Sequence, residues 1–154
     1  MIYRTKEEFQ AKTGQPEWSG GMKTGRGVFT FEQPDVDTVL AHEITHIIFG
    51  EFMGDEERKF RWLNEGLAQY FEGREVSSHQ KEMLRQLAEA GKVPALAELE
   101  GSFLGLNGPQ ASSAYLLSMS AVRHMVDRYG MYRVKMVLEE LSAGSESSRA
   151  INNA

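Results

Sequence analysis

His42 and His46, four residues apart with Glu43 directly after the first, form an H-E-x-x-H array inside the otherwise apolar stretch AHEITHIIFG, residues 41–50. On a helix, positions i and i+4 lie one turn above the other on a single face, so both imidazoles can aim a ring nitrogen at one point. That arrangement suits two ligands of one tetrahedral zinc ion. Glu43 lies about 100° round the helix from His42, beside the ion rather than on it, where a carboxylate can take a proton from water. With four histidines in 154 residues, such an array arises by chance about one time in a hundred. The competing reading is two helix histidines in accidental register.

A catalytic zinc keeps three protein ligands and one open position. The chain has no cysteine, so only His, Asp and Glu remain as strong candidates for the third ligand. They include His79, His124 and any acidic residue on a helix packed beside the first. Glu65 stands apart from the rest. It sits in RWLNEGLAQYFE among Leu63, Leu67 and Phe71, on an apolar helix face where a carboxylate is costly to bury unless it is paired or metal-bound. Eighteen residues separate His46 from Glu65, enough for a helix end, a turn and an antiparallel return.

HEITH, followed at that interval by the glutamate of WLNEGLAQY, resembles the gluzincin metallopeptidases. These share H-E-x-x-H-(x18)-E in the aminopeptidase N group, with a similar spacing in thermolysin. LAHEITHIIF, RWLNEGLAQYFEG and AYLLSMSAVRHMVDRYG together look like the small bacterial peptidase MA-like domains, in the expected order and over about a third of the chain. The resemblance implies a zincin-like domain over residues 1–144 that holds one Zn2+ through His42, His46 and Glu65. It implies peptide-bond hydrolysis through a zinc-bound water, with Glu43 as general base. It also implies an oxyanion donor on a later helix. Tyr115, fifty residues past Glu65, stands where the pattern has a tyrosine, its other reading being an ordinary half-buried aromatic. His124 reads as structural and His79 as solvated.

The chain departs from the family at two points. Gly20 to Thr24 line up with the G-A-M-E-N segment of aminopeptidase N relatives, but Lys23 replaces the glutamate that binds a substrate's free amine. A lysine there would repel an N-terminal ammonium, which argues against aminopeptidase activity. Thermolysin-like enzymes also place an aspartate four residues after the glutamate ligand, and here that residue is Gln69. The sequence therefore names no partner to orient the zinc histidines, and Asn64 reads as a helix-terminal or substrate-contacting group. The rival function is a non-catalytic or latent zinc-binding regulatory domain derived from a peptidase, motivated by the short chain and, for latency, by a tail lodged in the cleft. Glu43 argues for catalysis, since a structural site needs no base.

The elements that must position these residues follow from periodicity and punctuation. GVFTF, residues 27–31, alternates as a strand, and the glycine-rich stretch before it supplies an edge strand on which a peptide substrate can pair, with Gly20 and Gly21 admitting its backbone. A helix capped at Asp35 or Asp37 is expected to run to about Phe49, its apolar residues buried to hold the motif still. Further helices are expected at about 56–72, closed by Gly73, and at about 77–90, with Met83, Leu84 and Leu87 inward. Two more follow a loop with a helical turn or two at 93–110, each ending at a glycine. Strands first and helices after argue for α+β, with a small, mostly antiparallel N-terminal sheet. Ile2 to Gln10 reads as loop around a strand, and the polar tail at 145–154 is expected to fray.

Composition bounds the rest. The chain is 41% hydrophobic and 25% charged, as a globular domain is. A net charge of -5 without a Lys/Arg cluster argues against nucleic-acid binding and anionic membranes. No apolar run is long enough to span a membrane, and the first residues lack the apolar core of a signal. The expected partner is a peptide or protein substrate. The expected location is the cytoplasm by default, or outside the cell if a signal has been trimmed.

Overall fold

The computed structural model describes residues 1–17, 19–25 and 27–153, without the side chain of Leu104. Trp18, Arg26 and Ala154, which fall in the expected glycine-rich loops and the expected tail, lie outside the described residues. The fold is α+β and mostly helical, with one three-stranded sheet near the N-terminus.

Strands β1 (Ile2–Tyr3), β2 (Gly21–Thr24) and β3 (Gly27–Phe31) are ordered β1-β3-β2. β2 and β3 are antiparallel, but β1 lies parallel to β3, so the sheet is mixed rather than mostly antiparallel. The cause is helix α1 (Lys6–Thr13), which carries the chain across the sheet between β1 and the β2–β3 pair, and parallel neighbours need such a crossover. This helix was not expected from the sequence. Thr5 caps it by accepting from the Glu8 N–H at 3.2 Å, while the Glu8 carboxylate accepts from the Arg4 N–H. Only Phe9 of α1 is buried, so no apolar stripe announces it.

Cross-strand partners share a face. Phe31 meets Phe9 of α1, with ring centroids 5.6 Å apart. Gly21 and Thr30, paired across the strands, turn to the opposite face, which is covered by α2 (Val36–Met53). A Cβ on Gly21 would lie 2.7 Å from Val39 Cγ1. The bare backbone at this position therefore lets the sheet close on α2.

α2 continues through Gly50 to Met53, past its expected end. Phe49 and Met53 are buried, but Ile44 and Ile48 are exposed, so the apolar residues around the motif do not all form one buried face. A short 3-10 stretch (Gly54–Arg58) returns the chain into α3 (Arg61–Phe71). Next come α4 (Ser78–Glu89), two 3-10 turns (Leu96–Leu99 and Phe103–Gly105), α5 (Gly108–Tyr129) and α6 (Met131–Ser142). The core is built where α2, α3, α5 and α6 meet, around Phe49, Phe60, Trp62, Leu63, Val122 and Leu141. Residues past Gly144 do not fray. They form α7 (Ser147–Asn153), with Ser147 and Ala150 buried and the Ser147 hydroxyl donating to Glu100. Among the described residues no helix is long and apolar enough to cross a membrane.

Candidate metal centre

α3 is pressed against both α2 and α5, which decides where Glu65 points. A Cβ on Gly66 would lie 2.5 Å from the Ser118 carbonyl oxygen and 2.6 Å from Val122 Cγ2. The two backbones thus touch at Gly66, and Gln69 spans the same seam by donating to the Tyr115 carbonyl at 3.0 Å. With α3 fixed in this way, Glu65 faces α2. Its Oε2 lies 3.8 Å from Nε2 of His42 and 3.8 Å from Nε2 of His46, and the three ligand atoms fall within 4.8 Å of one another. Donors on a tetrahedral zinc lie roughly 3.3–3.5 Å apart, given metal–ligand lengths near 2.0–2.2 Å. The three residues can hold the ion if the two 3.8 Å separations shorten by a few tenths of an ångström and the group, which spans up to 4.8 Å, closes at its widest by more than an ångström.

The other ring nitrogen of each histidine is held. His46 Nδ1 donates to Asn64 Oδ1 at 2.6 Å, and His42 Nδ1 donates to Glu72 Oε2 at 2.7 Å. In the neutral rings both Nε2 atoms are therefore left with their lone pairs toward Glu65, the tautomer a metal requires. Asn64 is thus the orienting partner of His46 rather than a helix-terminal or substrate-contacting group. Gln69 plays no such part.

Glu65 is nearly buried, with 3% of its side chain exposed, and its Oε1 accepts from Arg61 at 2.7 Å. Burial pushes its carboxyl above the usual range, against the pull of the Arg61 and His42 charges. Burial opposes charge on His42 too, but the Glu72 hydrogen bond and the surrounding carboxylates outweigh it and raise that imidazole. His46 is lowered by burial, against its Asn64 bond.

The end of α3 supplies two residues that the sequence reading missed. The Gly73 N–H bonds to the Tyr70 carbonyl and the Arg74 N–H to the Gln69 carbonyl, the double bond of a Schellman ending, which the left-handed φ of 78° at Gly73 permits. This turn sets Glu72 against His42 and brings Arg74 back beside it, with Arg74 Nε 2.9 Å from Glu72 Oε1. One signal was available. Arg61 at i−4 and Glu72 at i+7 share the helix face of Glu65.

A cleft of about 390 Å³ opens beside His42, between the start of β2 and the end of α3. Its walls include Gly21, Val39, His42, Glu43, Glu72 and Arg74. Glu43 is half-buried in this wall, next to Gly21. Tyr115 lies on α5, close enough to Arg61 and Glu65 to feel both charges. Burial raises its pKa, and the Glu65 charge adds to that. It lines a neighbouring cavity of about 300 Å³, shared with Gln69 and Arg74. Lys23 points elsewhere, donating to the His46 carbonyl at 3.1 Å and pairing with Glu57 at 2.5 Å. His79 and His124 are exposed and outside the group. Compared with protein-family models, with curated proteins and with solved structures, the chain has no match.

Proposed function

We propose that the chain is a zinc-dependent peptidase of zincin-like architecture, with His42, His46 and Glu65 as the ligands of one Zn2+. The observation that carries this reading is the pair of equal 3.8 Å distances from one Glu65 oxygen to the two Nε2 atoms, with Glu43 in the wall of the adjoining cleft. When bound there, zinc supplies a Lewis acid that polarises a carbonyl and brings the pKa of water down toward 7. Every other part belongs to the chain itself. Asn64 and Glu72 hold the imidazoles in the binding tautomer, and Arg61 keeps one Glu65 oxygen occupied so that the other faces the histidines. Glu43 accepts a proton from the attacking water and returns it to the departing amine. Tyr115 donates its hydroxyl hydrogen to the oxyanion.

The edge of β2 suits a peptide backbone. Thr30 and Glu32 send their N–H groups to β1, so Phe29 of β3 turns its peptide groups to Met22. By alternation along the strand, the peptide groups of Gly21 and Lys23 face outward. A substrate pairing there gains main-chain hydrogen bonds with little side-chain selectivity. Lys23 does not bar an N-terminus, because its charge is paired with Glu57. The tail-latched reading gains no support, since α7 packs on α6 and on the 96–99 turn.

The test is a mixed peptide library incubated with the zinc-loaded chain and read by mass spectrometry, beside Glu43→Gln and a chelated control. Cleavage by the parent alone is expected, with zinc content unchanged in the variant. A variant that cleaves as well as the parent removes Glu43 from the mechanism. A chain that holds zinc and cleaves nothing favours the non-catalytic module.

A further inference from the structure

We propose that Arg74 is a specificity residue that receives a substrate carboxylate on the C-terminal side of the cut bond; this rests on the peptidase reading above. Direction comes first. Gly21 abuts Val39 and Glu43, while Lys23 two residues on reaches the His46 carbonyl, so β2 and α2 run the same way. A peptide pairing antiparallel to β2 runs from the His46 end toward the Val39 end. Its C-terminal portion then crosses the start of β2, where Glu72 and Arg74 form the facing wall of the cleft.

Arg74 is built for this position. Its backbone is fixed on both sides, the N–H on the Gln69 carbonyl at 3.1 Å and the carbonyl on Arg123 at 3.0 Å. Its Nε is fixed on Glu72, and Nη1 makes only a long 3.4 Å contact to Gln69 Oε1. A guanidinium has five N–H donors, so the terminal fork keeps most of its donors, on a side chain that is 58% exposed. That fork matches a carboxylate held by two parallel bonds. Arg74 also lines both the cleft and the neighbouring Tyr115 cavity, so it stands where the two depressions meet.

The carboxylate has two sources: the free C-terminus of a peptide cut within a residue or two of its end, or an Asp or Glu side chain just past the cut. Calorimetry on the full, zinc-loaded chain carrying Glu43→Gln separates them without turnover. The probes are tetra-alanine as acid and as amide, and Ala-Ala-Asp-Ala and Ala-Ala-Asn-Ala as amides. The acid form of one pair is expected to bind about 10- to 100-fold more tightly than its neutral counterpart, as a charged hydrogen-bonded pair does. Which pair shows the preference names the source. Adding Arg74→Gln should erase the preference, and Arg74→Lys should keep part of it, with zinc content unchanged in both. Equal affinity for charged and neutral probes, or no binding of either, overturns the proposal. So does a loss in Arg74→Gln that weakens acid and amide alike, which would make Arg74 only a support for Glu72. These outcomes are read from binding, so they stand apart from whether the parent cleaves the library.

Discussion

Glu72 and His42, thirty residues apart in the chain, meet at 2.7 Å through Oε2 and Nδ1. The bond fixes which nitrogen of His42 faces Glu65, and Asn64 does the same for His46 at 2.6 Å. Replacing either partner should leave the three ligands in place and still weaken zinc. Glu72→Ala and Asn64→Ala are each expected to lower zinc affinity about 10- to 100-fold, measured by competition with a coloured chelator. Asn64→Ala should also cost about 1–3 kcal/mol in a urea melt, since it strands a buried imidazole N–H. Unchanged zinc affinity in both variants would mean that the histidines are oriented by packing alone.

Arg61 holds Glu65 Oε1 at 2.7 Å, so without metal it is the nearest cation to a buried carboxylate. Arg61→Gln should destabilise the metal-free chain by about 1–3 kcal/mol. This is less than the cost of breaking a fully buried pair, because Arg61 is partly in water. Zinc supplies the missing positive charge and stabilises by mass action, so its addition should recover much of the loss. Melts of parent and variant, each with zinc and with chelator, test this. An equal loss in both conditions would show that Arg61 acts through something other than the Glu65 charge.

What could be read in the sequence divides along a physical line. That His42, His46 and Glu65 come together was legible because it depends on helical spacing and on the cost of a carboxylate in an apolar face, both of which are local. The helices around them were legible for the same reason, through periodic apolar residues and closing glycines such as Gly73. α1 was missed although Thr5 and Glu8 carry the capping pattern, because a helix that buries only Phe9 has no stripe to see. The parallel placement of β1 follows from how α1 crosses the sheet, and no strand pattern encodes it. Asn64 and Arg74 became visible beside these residues only when α3 and the turn that ends it were set against α2, although Glu72 shares the helix face of Glu65. The fraying expected of SESSRAINNA rested on polarity alone, and Ser147 and Ala150 are nevertheless buried.

Zinc binding should release protons in a pH-dependent way. Burial opposes charge on His42, but Glu72 and the other carboxylates outweigh it and raise its pKa above the ordinary 6.5. Between 6.5 and that raised value, the metal-free folded chain holds a proton that the unfolded chain has lost. His42 thus stabilises the metal-free fold fully below 6.5, and this contribution disappears as pH rises through the raised value. Zinc needs the neutral ring, so it must displace that proton. Calorimetry in buffers of differing ionisation heat should find more protons released near pH 6.5 than near pH 8.5. Glu72→Gln should flatten the difference. A release that does not change with pH would contradict the raised pKa of His42.

The seam between α3 and α5 offers a test of how the scaffold controls the site at a distance from its chemistry. Alanine is the better helix former by about 1 kcal/mol, so on propensity alone Gly66→Ala should stabilise α3. Packing says the opposite. The new Cβ would sit 2.5 Å from the Ser118 carbonyl oxygen and 2.9 Å from its carbon, and both are backbone atoms that cannot swing aside. The helices must part, at a cost of about 1–3 kcal/mol for overpacking, which exceeds the propensity gain. Glu65 precedes Gly66 in the same turn, and the Gln69 bond to Tyr115 crosses the same seam, so a displaced α3 carries Glu65 away from the histidines on α2. Gly66→Ala is therefore expected to lower the urea midpoint and weaken zinc together. Gly105→Ala serves as the control, since its added Cβ meets nothing within 4 Å. If Gly66→Ala melts later than the parent and binds zinc equally well, the close contact at Ser118 does not set the position of Glu65.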